Sequence, residues 1–322
     1  MNEQRAAMFW DRLLRKPTVS CAASQETRGG RRVYEKRHMR TVELPKKSDT
    51  SLGRCFLCPH ECVIKEGNHG ICGVRKNING QLIAESYGQI TSVALDPIEK
   101  KPLYMFHPGT MILSVGSYGC NFRCPFCQNH GIAMPKERLR CEKITPEGLV
   151  AFAQKAVAHG NIGVAYTYNE PLIGYEFVYD CAKLVRDAGL KNVLVTNGFI
   201  SEEPLETILP YIDAMNIDLK GFASGFYQKI GGDLEAVKAV IKRASESCHV
   251  EVTTLVIPGE NDGDVEEIAK WLADVDASIP LHLSRFFPRN EYKNREPTPR
   301  EMVLELKEVA GRYLEHVFVG NV

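Results

Sequence analysis

From residue 111 onward, short apolar runs alternate with longer stretches of helical period, and this alternation constrains the fold most strongly. Strand-like runs fall at 111–117, 162–167, 192–196, 213–218, 249–256, 281–286 and 316–319. Helical periods fall between them, at 146–159, 172–188, 201–209, 233–246, 263–275 and 299–313. Strand then helix, repeated, implies an α/β fold with a parallel sheet under covering helices. The count fits an incomplete (β/α)6 barrel, in which chemistry belongs just beyond the C-terminal ends of the strands. The 322 residues, 44% hydrophobic and 25% charged, suffice for such a domain with a core of its own and an extension.

Directly after the first apolar run stands YGCNFRCPFCQN, which places Cys120, Cys124 and Cys127 in a C-x3-C-x2-C loop. Three thiolates this close can wrap one compact inorganic core, and soft sulfur ligands favour zinc, copper(I) or an iron–sulfur cluster over magnesium or calcium. A cubane has four irons, so three cysteines leave one iron open, whereas an electron-transfer ferredoxin closes that position with a fourth cysteine. Zinc sites usually come as paired C-x2-C hooks, which this loop is not.

A second set precedes it. Cys55, Cys58, Cys62 and Cys72 are threaded with glycines at 67, 70 and 73, which let the backbone turn tightly around a small core. Four sulfurs satisfy a metal completely, so this site reads as closed: structural zinc or a second iron–sulfur cluster, with His60 and His69 as substitute ligands. QLIAES and QITSVAL then suggest two short strands joined at Tyr87-Gly88. In LDPIEKKPLYMFHPGT, Asp96-Pro97 and Lys101-Pro102 mark extended turns. The expected organisation is a basic arm over 1–50, disordered or an adaptor, a Cys-rich extension and connector over 51–110, and the barrel over 111–322.

With Phe126 before its last cysteine, the 120–127 loop resembles the radical S-adenosylmethionine (SAM) superfamily. The C-x2-CPH-x-C opening, the CGVR segment, DPIEKKPL and HPG narrow the likeness. Together they resemble the radical SAM enzyme of the AmmeMemoRadiSam system, a group related to pyruvate formate-lyase activating enzyme. The resemblance runs from about Cys55 to Val322. It implies a partial barrel of the radical SAM type and a [4Fe-4S] cluster on Cys120, Cys124 and Cys127. The open iron of that cluster would chelate SAM, and reductive cleavage would yield a 5′-deoxyadenosyl radical. Phe126 would pack near the adenine. TYNEP stands where the family often has GGEP, with Tyr168 and Asn169 in place of the glycines, and it makes Asn169 and Glu170 SAM ligands. Thr196 and Asn197 would contact ribose or carboxylate, although Val195 replaces an acidic residue found in related activases. Asp218 and Lys220 would lie beside SAM and the radical. Thr254 and Val256 would face the interior, Val256 touching adenine. Arg285 would hold a carboxylate or ribose, and Phe287 stands where many relatives carry histidine. The family usually continues into a tail with another cysteine pair, where this sequence ends at Val322.

Formal net charge is zero, which gives no sign of nucleic-acid or membrane binding, although residues 1–50 carry 12 Lys/Arg against 6 Asp/Glu. No apolar run could span a bilayer and the first twenty residues lack a secretory h-region. Eleven cysteines clustered in this way fit a reducing, cytoplasmic setting. Cys141, Cys181 and Cys248 are read as buried small hydrophobes. Expected partners are a small-molecule or protein substrate, a reductant such as flavodoxin or ferredoxin, and AmmeMemoRadiSam partner proteins. Two other readings stand beside this one: an activase that makes a glycyl radical on a partner protein, and a non-enzymatic iron–sulfur or zinc scaffold.

Overall fold

Seven strands in the second part of the chain are buried on both faces, the pattern of a sheet with helices on one side and a filled interior on the other. The computed structural model describes residues 52–137 and 139–322, so the basic arm of 1–50 lies outside the described residues. The strands are β1 (Leu52–Arg54), β2 (Val63–Lys65), β3 (Arg75–Ile78), β4 (Gln81–Ala84), β5 (Gln89–Ile90), β6 (Ser92–Pro97) and β7 (Met111–Gly116). They continue as β8 (Glu142–Lys143), β9 (Asn161–Tyr166), β10 (Lys191–Thr196), β11 (Ala214–Asp218), β12 (His249–Val256), β13 (Leu281–Arg285) and β14 (Val317–Gly320). The helices are α1 (His130–Ala133), α2 (Pro146–Ala156), α3 (Tyr175–Asp187), α4 (Glu202–Ile208), α5 (Ser224–Ile230), α6 (Leu234–Ser245), α7 (Val265–Asp276) and α8 (Arg300–Ala310).

The main sheet has the order β14-β13-β12-β11-β10-β9-β7-β6. Its strands from β7 to β14 pair in parallel, and β6 adds an antiparallel edge against β7. This is the expected partial barrel. Local chemistry sets the helix starts: the Thr145 hydroxyl caps α2 by accepting from Gly148 N, and Asp233 caps α6 by accepting from Ala236 N. On α3, Phe177, Val178, Cys181, Ala182 and Val185 form one buried stripe, which places Cys181 in the core as expected. Among the described residues no helix is long and apolar enough to cross a membrane.

Two details differ from the sequence reading. QLIA and QITSVAL do not pair with each other: β4 pairs with β3, while the second run breaks into β5, which pairs with β8, and β6, which pairs with β7. The short helices α1 and α5 were also not expected from the sequence. In neither case does a local pattern reveal the partner strand or the packing that selects the outcome.

The DPIEKKPL connector fills the barrel from the N-terminal ends of its strands. Ile98, Leu103 and Phe106 pack on Ile112, Ala165, Val193 and Ala214 in one buried cluster. Glu251, fully buried on β12, fastens this plug by accepting from Tyr104 N at 3.0 Å and Met105 N at 2.8 Å. Its carboxylate also meets His249 Nε2 at 2.9 Å and His282 Nε2 at 2.6 Å. Burial alone would raise this carboxyl, but the hydrogen bonds from both histidines and both amides hold it at about 2. An unfolded glutamate titrates near ~4.3, so the group stabilises the fold by up to about 3 kcal/mol above that pH and loses this as pH falls toward 2. Urea unfolding at pH 6 and pH 3 should show this loss in the wild type. Glu251→Gln should be less stable at pH 6 and lose less between the two pH values. An unchanged pH slope in the variant would exclude Glu251 as its source.

Candidate active site

The site gathers at the C-terminal ends of β7, β9, β10 and β11, where successive strands deliver residues far apart in sequence. The cysteine loop leaves β7 through Gly119, whose φ is +85°. A Cβ here would stand 2.5 Å from Val74 Cγ2 and 2.7 Å from the Cys72 carbonyl oxygen, so only glycine lets the loop approach the Cys-rich extension this closely. Cys124 is buried, and Cys120 and Cys127 are partly so. The loop is further held by Arg123 N donating to Ile230 O at 2.7 Å and by Cys127 N donating to Cys124 O at 3.2 Å.

The TYNEP turn follows β9. Tyr168 adopts φ +73°, a left-handed conformation that favours glycine, at a position where the motif it resembles has glycine. The surroundings fix it there: its hydroxyl donates to Asp96 Oδ2 at 2.9 Å and the Lys101 ammonium lies 4.8 Å from its ring centre. Asn169 Oδ1 accepts from Ser117 N at 2.9 Å, and Nδ2 donates to the carbonyls of Tyr118 and Gly119 at 3.1 Å each. Asn169 therefore straps the approach to the cysteine loop. Glu170, 4% exposed, accepts from Leu172 N (3.0 Å) and the Thr196 hydroxyl (2.7 Å) on Oε1, and from Asn197 N (2.7 Å) on Oε2. Burial pushes its carboxyl up to about 7 against these three lowering bonds.

Asn197 carries the link onward. Its Nδ2 donates to Asn121 Oδ1 at 2.8 Å and lies 3.7 Å from Cys120 Sγ. Just beyond β11, Lys220 Nζ pairs with Asp218 Oδ2 at 2.8 Å in a salt bridge. Burial disfavours the ammonium, but Asp218 and the Cys124 sulfur beside it outweigh that and raise Lys220 above its ordinary value. Phe126 is buried and stacks on Phe226 at 6.0 Å and 15°. Thus Cys120, Cys124, Cys127, Glu170, Thr196, Asn197, Asp218 and Lys220 form one connected neighbourhood.

Val256 and Arg285 stand differently. Strand pairing sets Asp218 beside Thr253 and Ile217 beside Val252. The Thr253 hydroxyl donates to Asn216 Oδ1 at 3.0 Å, whereas Ile217 lies with Val237 and Val240 of α6 around Gly198. Thr254 and Val256 share the face of Val252. They therefore point toward the helices, not into the interior as expected, because strand alternation puts Thr253 and Leu255 inside. Arg285 pairs with Val256 and donates from Nε to the Thr298 carbonyl at 2.6 Å, with its guanidinium 4.9 Å from the Phe287 ring centre. Sequence reading missed Asn121, which also donates to Phe199 O at 2.8 Å, and Tyr227 and Asn261, which hold the Lys220 backbone N–H and carbonyl. Position inside the cysteine loop was the one available signal for Asn121.

The donor set suits a cluster better than a single ion. Burial raises all three thiols, Cys124 to about 12, so a cationic core is needed to hold them as thiolates. Among the described residues, no three His, Cys, Asp or Glu side chains stand close enough for one metal ion. A tetrahedral ion requires sulfurs ~3.8 Å apart, whereas in a cubane each thiolate binds a different iron and the triangle is wider.

A model of the radical SAM superfamily matches residues 114–272. An uncharacterized protein of Methanocaldococcus jannaschii is 42% identical over 88% of this chain and 86% of its own length. A provisionally named glycyl-radical enzyme activating enzyme of that organism is 26% identical over 62% of this chain and 77% of its own. A crystallised domain of pyruvate-formate lyase-activating enzyme from Bacteroides vulgatus has a TM-score of 0.44 at 20% identity, covering 49% of this chain and 99% of that domain.

Proposed function

The chain belongs to the radical SAM superfamily, whose members cleave SAM reductively with a [4Fe-4S] cluster, and from that premise we propose how its own residues serve the reaction. Cys120, Cys124 and Cys127 would hold the cluster, at the strand ends where SAM would bind. Together the bound cluster and SAM would supply radical chemistry for hydrogen abstraction or addition. The observation that carries this reading is the continuous chain from Glu170 through Asn197 to Cys120 Sγ, which joins the strand ends of β9 and β10 to a ligand sulfur.

Glu170 acts as a positioning residue, since both its oxygens are already engaged by protein donors. It fixes the Thr196 hydroxyl and the Asn197 backbone, and Asn169 fixes the loop entrance. Lys220 places a positive charge beside the cysteine sulfurs, which would favour a reduced, more negative cluster held there. Asp218 keeps that ammonium in place. No general base is needed for a homolytic step. The Cys55–Cys72 segment and the DPIEKKPL plug support an enzyme of the AmmeMemoRadiSam type, served by a low-potential one-electron donor such as flavodoxin or ferredoxin.

Anaerobic reconstitution with iron and sulfide, then dithionite and SAM, should release 5′-deoxyadenosine and methionine, measured by liquid chromatography with mass detection. A fully loaded cluster that yields neither product would refute the assignment.

A further inference from the structure

Four cysteines at the beginning of the described chain take no part in the site above. The β1–β2 hairpin joins two of them, Cys55 N donating to Cys62 O at 2.9 Å. Cys58 lies in the loop between, and Cys72 comes back on a turn closed by Gly73 N donating to Gly70 O at 3.0 Å. Cys55 and Cys62 face each other across the hairpin, and the Cys62 sulfur lies against Gly70, which closes the turn carrying Cys72, so the cysteines converge. All four are free thiols. The histidines considered as substitute ligands are engaged elsewhere: His60 Nε2 is 2.8 Å from Asn121 O, and His69 Nε2 is 2.6 Å from Glu85 Oε2.

We propose that Cys55, Cys58, Cys62 and Cys72 hold a second iron–sulfur cluster, a cubane closed by all four thiolates and set against the first. Two observations favour it over zinc. The first is spacing: no three of these side chains stand close enough for one ion, as is also true of Cys120, Cys124 and Cys127. A tetrahedral zinc needs the sulfurs ~3.8 Å apart, whereas a cubane binds each thiolate through a different iron. The second is Arg75. It is 5% exposed, and Glu176 and the Ile173 carbonyl occupy its terminal nitrogens. Its buried Nε–H has no hydrogen-bond partner. Its backbone N–H already points at Cys72 Sγ, 3.5 Å away. A cubane bearing four thiolates is anionic, and its sulfides reach outward as acceptors, which answers the unpaired N–H.

The two cysteine sites touch. Cys120 N donates to the Cys72 carbonyl at 3.3 Å. His60, between Cys58 and Cys62, lies 2.8 Å by Nε2 from the Asn121 carbonyl, and the Asn121 side chain accepts from Asn197, which in turn reaches Cys120 Sγ. The closed cluster is thus one hydrogen-bonded peptide from the loop that holds the open one.

The test is iron and sulfide analysis of the full-length protein after anaerobic reconstitution, with electron paramagnetic resonance after dithionite. Wild type should carry about eight irons and eight sulfides per chain, two cubanes' worth. The triple variant Cys120→Ala/Cys124→Ala/Cys127→Ala should keep about four and a reduced-cubane signal. One zinc and no iron in that variant would overturn the proposal, as would a folded variant, by circular dichroism, with no metal. Should the triple variant fail to fold, the wild-type count decides: about eight irons supports the second cluster and about four overturns it. Failure of the SAM assignment reads out differently, as a loaded wild type that makes no 5′-deoxyadenosine.

Discussion

Cys124→Ala should fold, lose the open cluster and release no 5′-deoxyadenosine above background. Cys124 is the most buried of the three sulfurs, 7% exposed, and stands centrally between Cys120 and Cys127 with Lys220 at its side. Two remaining thiolates cannot keep a cubane from losing irons to solvent, and without the open iron SAM has no electron source. Folding should survive because the loop is held by its backbone as well: Gly119 N to Ile132 O at 2.8 Å and Arg123 N to Ile230 O at 2.7 Å do not involve the sulfur. Removing a thiol that burial already holds protonated in the metal-free chain strands no charge. Circular dichroism and thermal melting would establish the fold, and product analysis the chemistry. SAM cleavage at the wild-type rate would disqualify Cys124 as a ligand.

Glu170→Ala should be the most disruptive change outside the cysteines. It removes the acceptor for three buried donors, Leu172 N, Thr196 Oγ1 and Asn197 N. Each unpaired buried donor costs about 1–3 kcal/mol, so a loss of several kcal/mol is expected, visible as a lower melting temperature. The second consequence is positional. With Asn197 released, the amide that contacts Cys120 Sγ drifts and the strand ends no longer present one surface. A displacement of about 1 Å can cost about 10²-fold in rate. Glu170→Gln keeps the shape and the carbonyl acceptor but turns an amide N–H₂ toward one set of donors. It should fall between wild type and Glu170→Ala in both stability and SAM cleavage. Iron content should stay near wild type in Glu170→Gln, which separates a positioning role from a ligand role. Wild-type cleavage by Glu170→Gln would show that the carboxylate's second acceptor oxygen is dispensable.

The active-site half of the chain was legible because periodicity is a local property. Strand-like runs from Met111 to Gly320 and the helices between them follow from alternating and 3.6-residue patterns, and helix starts such as Thr145-Pro146 carry their own signals. Residues 81–97 were read less well. QLIA and QITSVAL look like strands by themselves, yet their partners are β3, β8 and β7, chosen by packing. Val256 shows the same limit at one residue. Its position at a strand end was readable, but alternation had to be anchored by the Thr253–Asn216 contact before inside could be told from outside.

By itself the sequence determined the α/β class, the order of its elements, and two groups of thiols with different spacing. Those features depend on neighbours within a few residues, which sterics and side-chain period connect directly. Tertiary structure alone decided that Glu170 is consumed by protein donors, that Asn121 joins the two cysteine groups, and that the DPIEKKPL segment plugs the barrel against Glu251. The long-range contacts among these span from 26 to 147 residues of chain. Parallel pairing brings together strand ends that sequence distance keeps apart, and only the closed packing of the barrel shows which polar atoms are already paired and which remain to meet a cofactor.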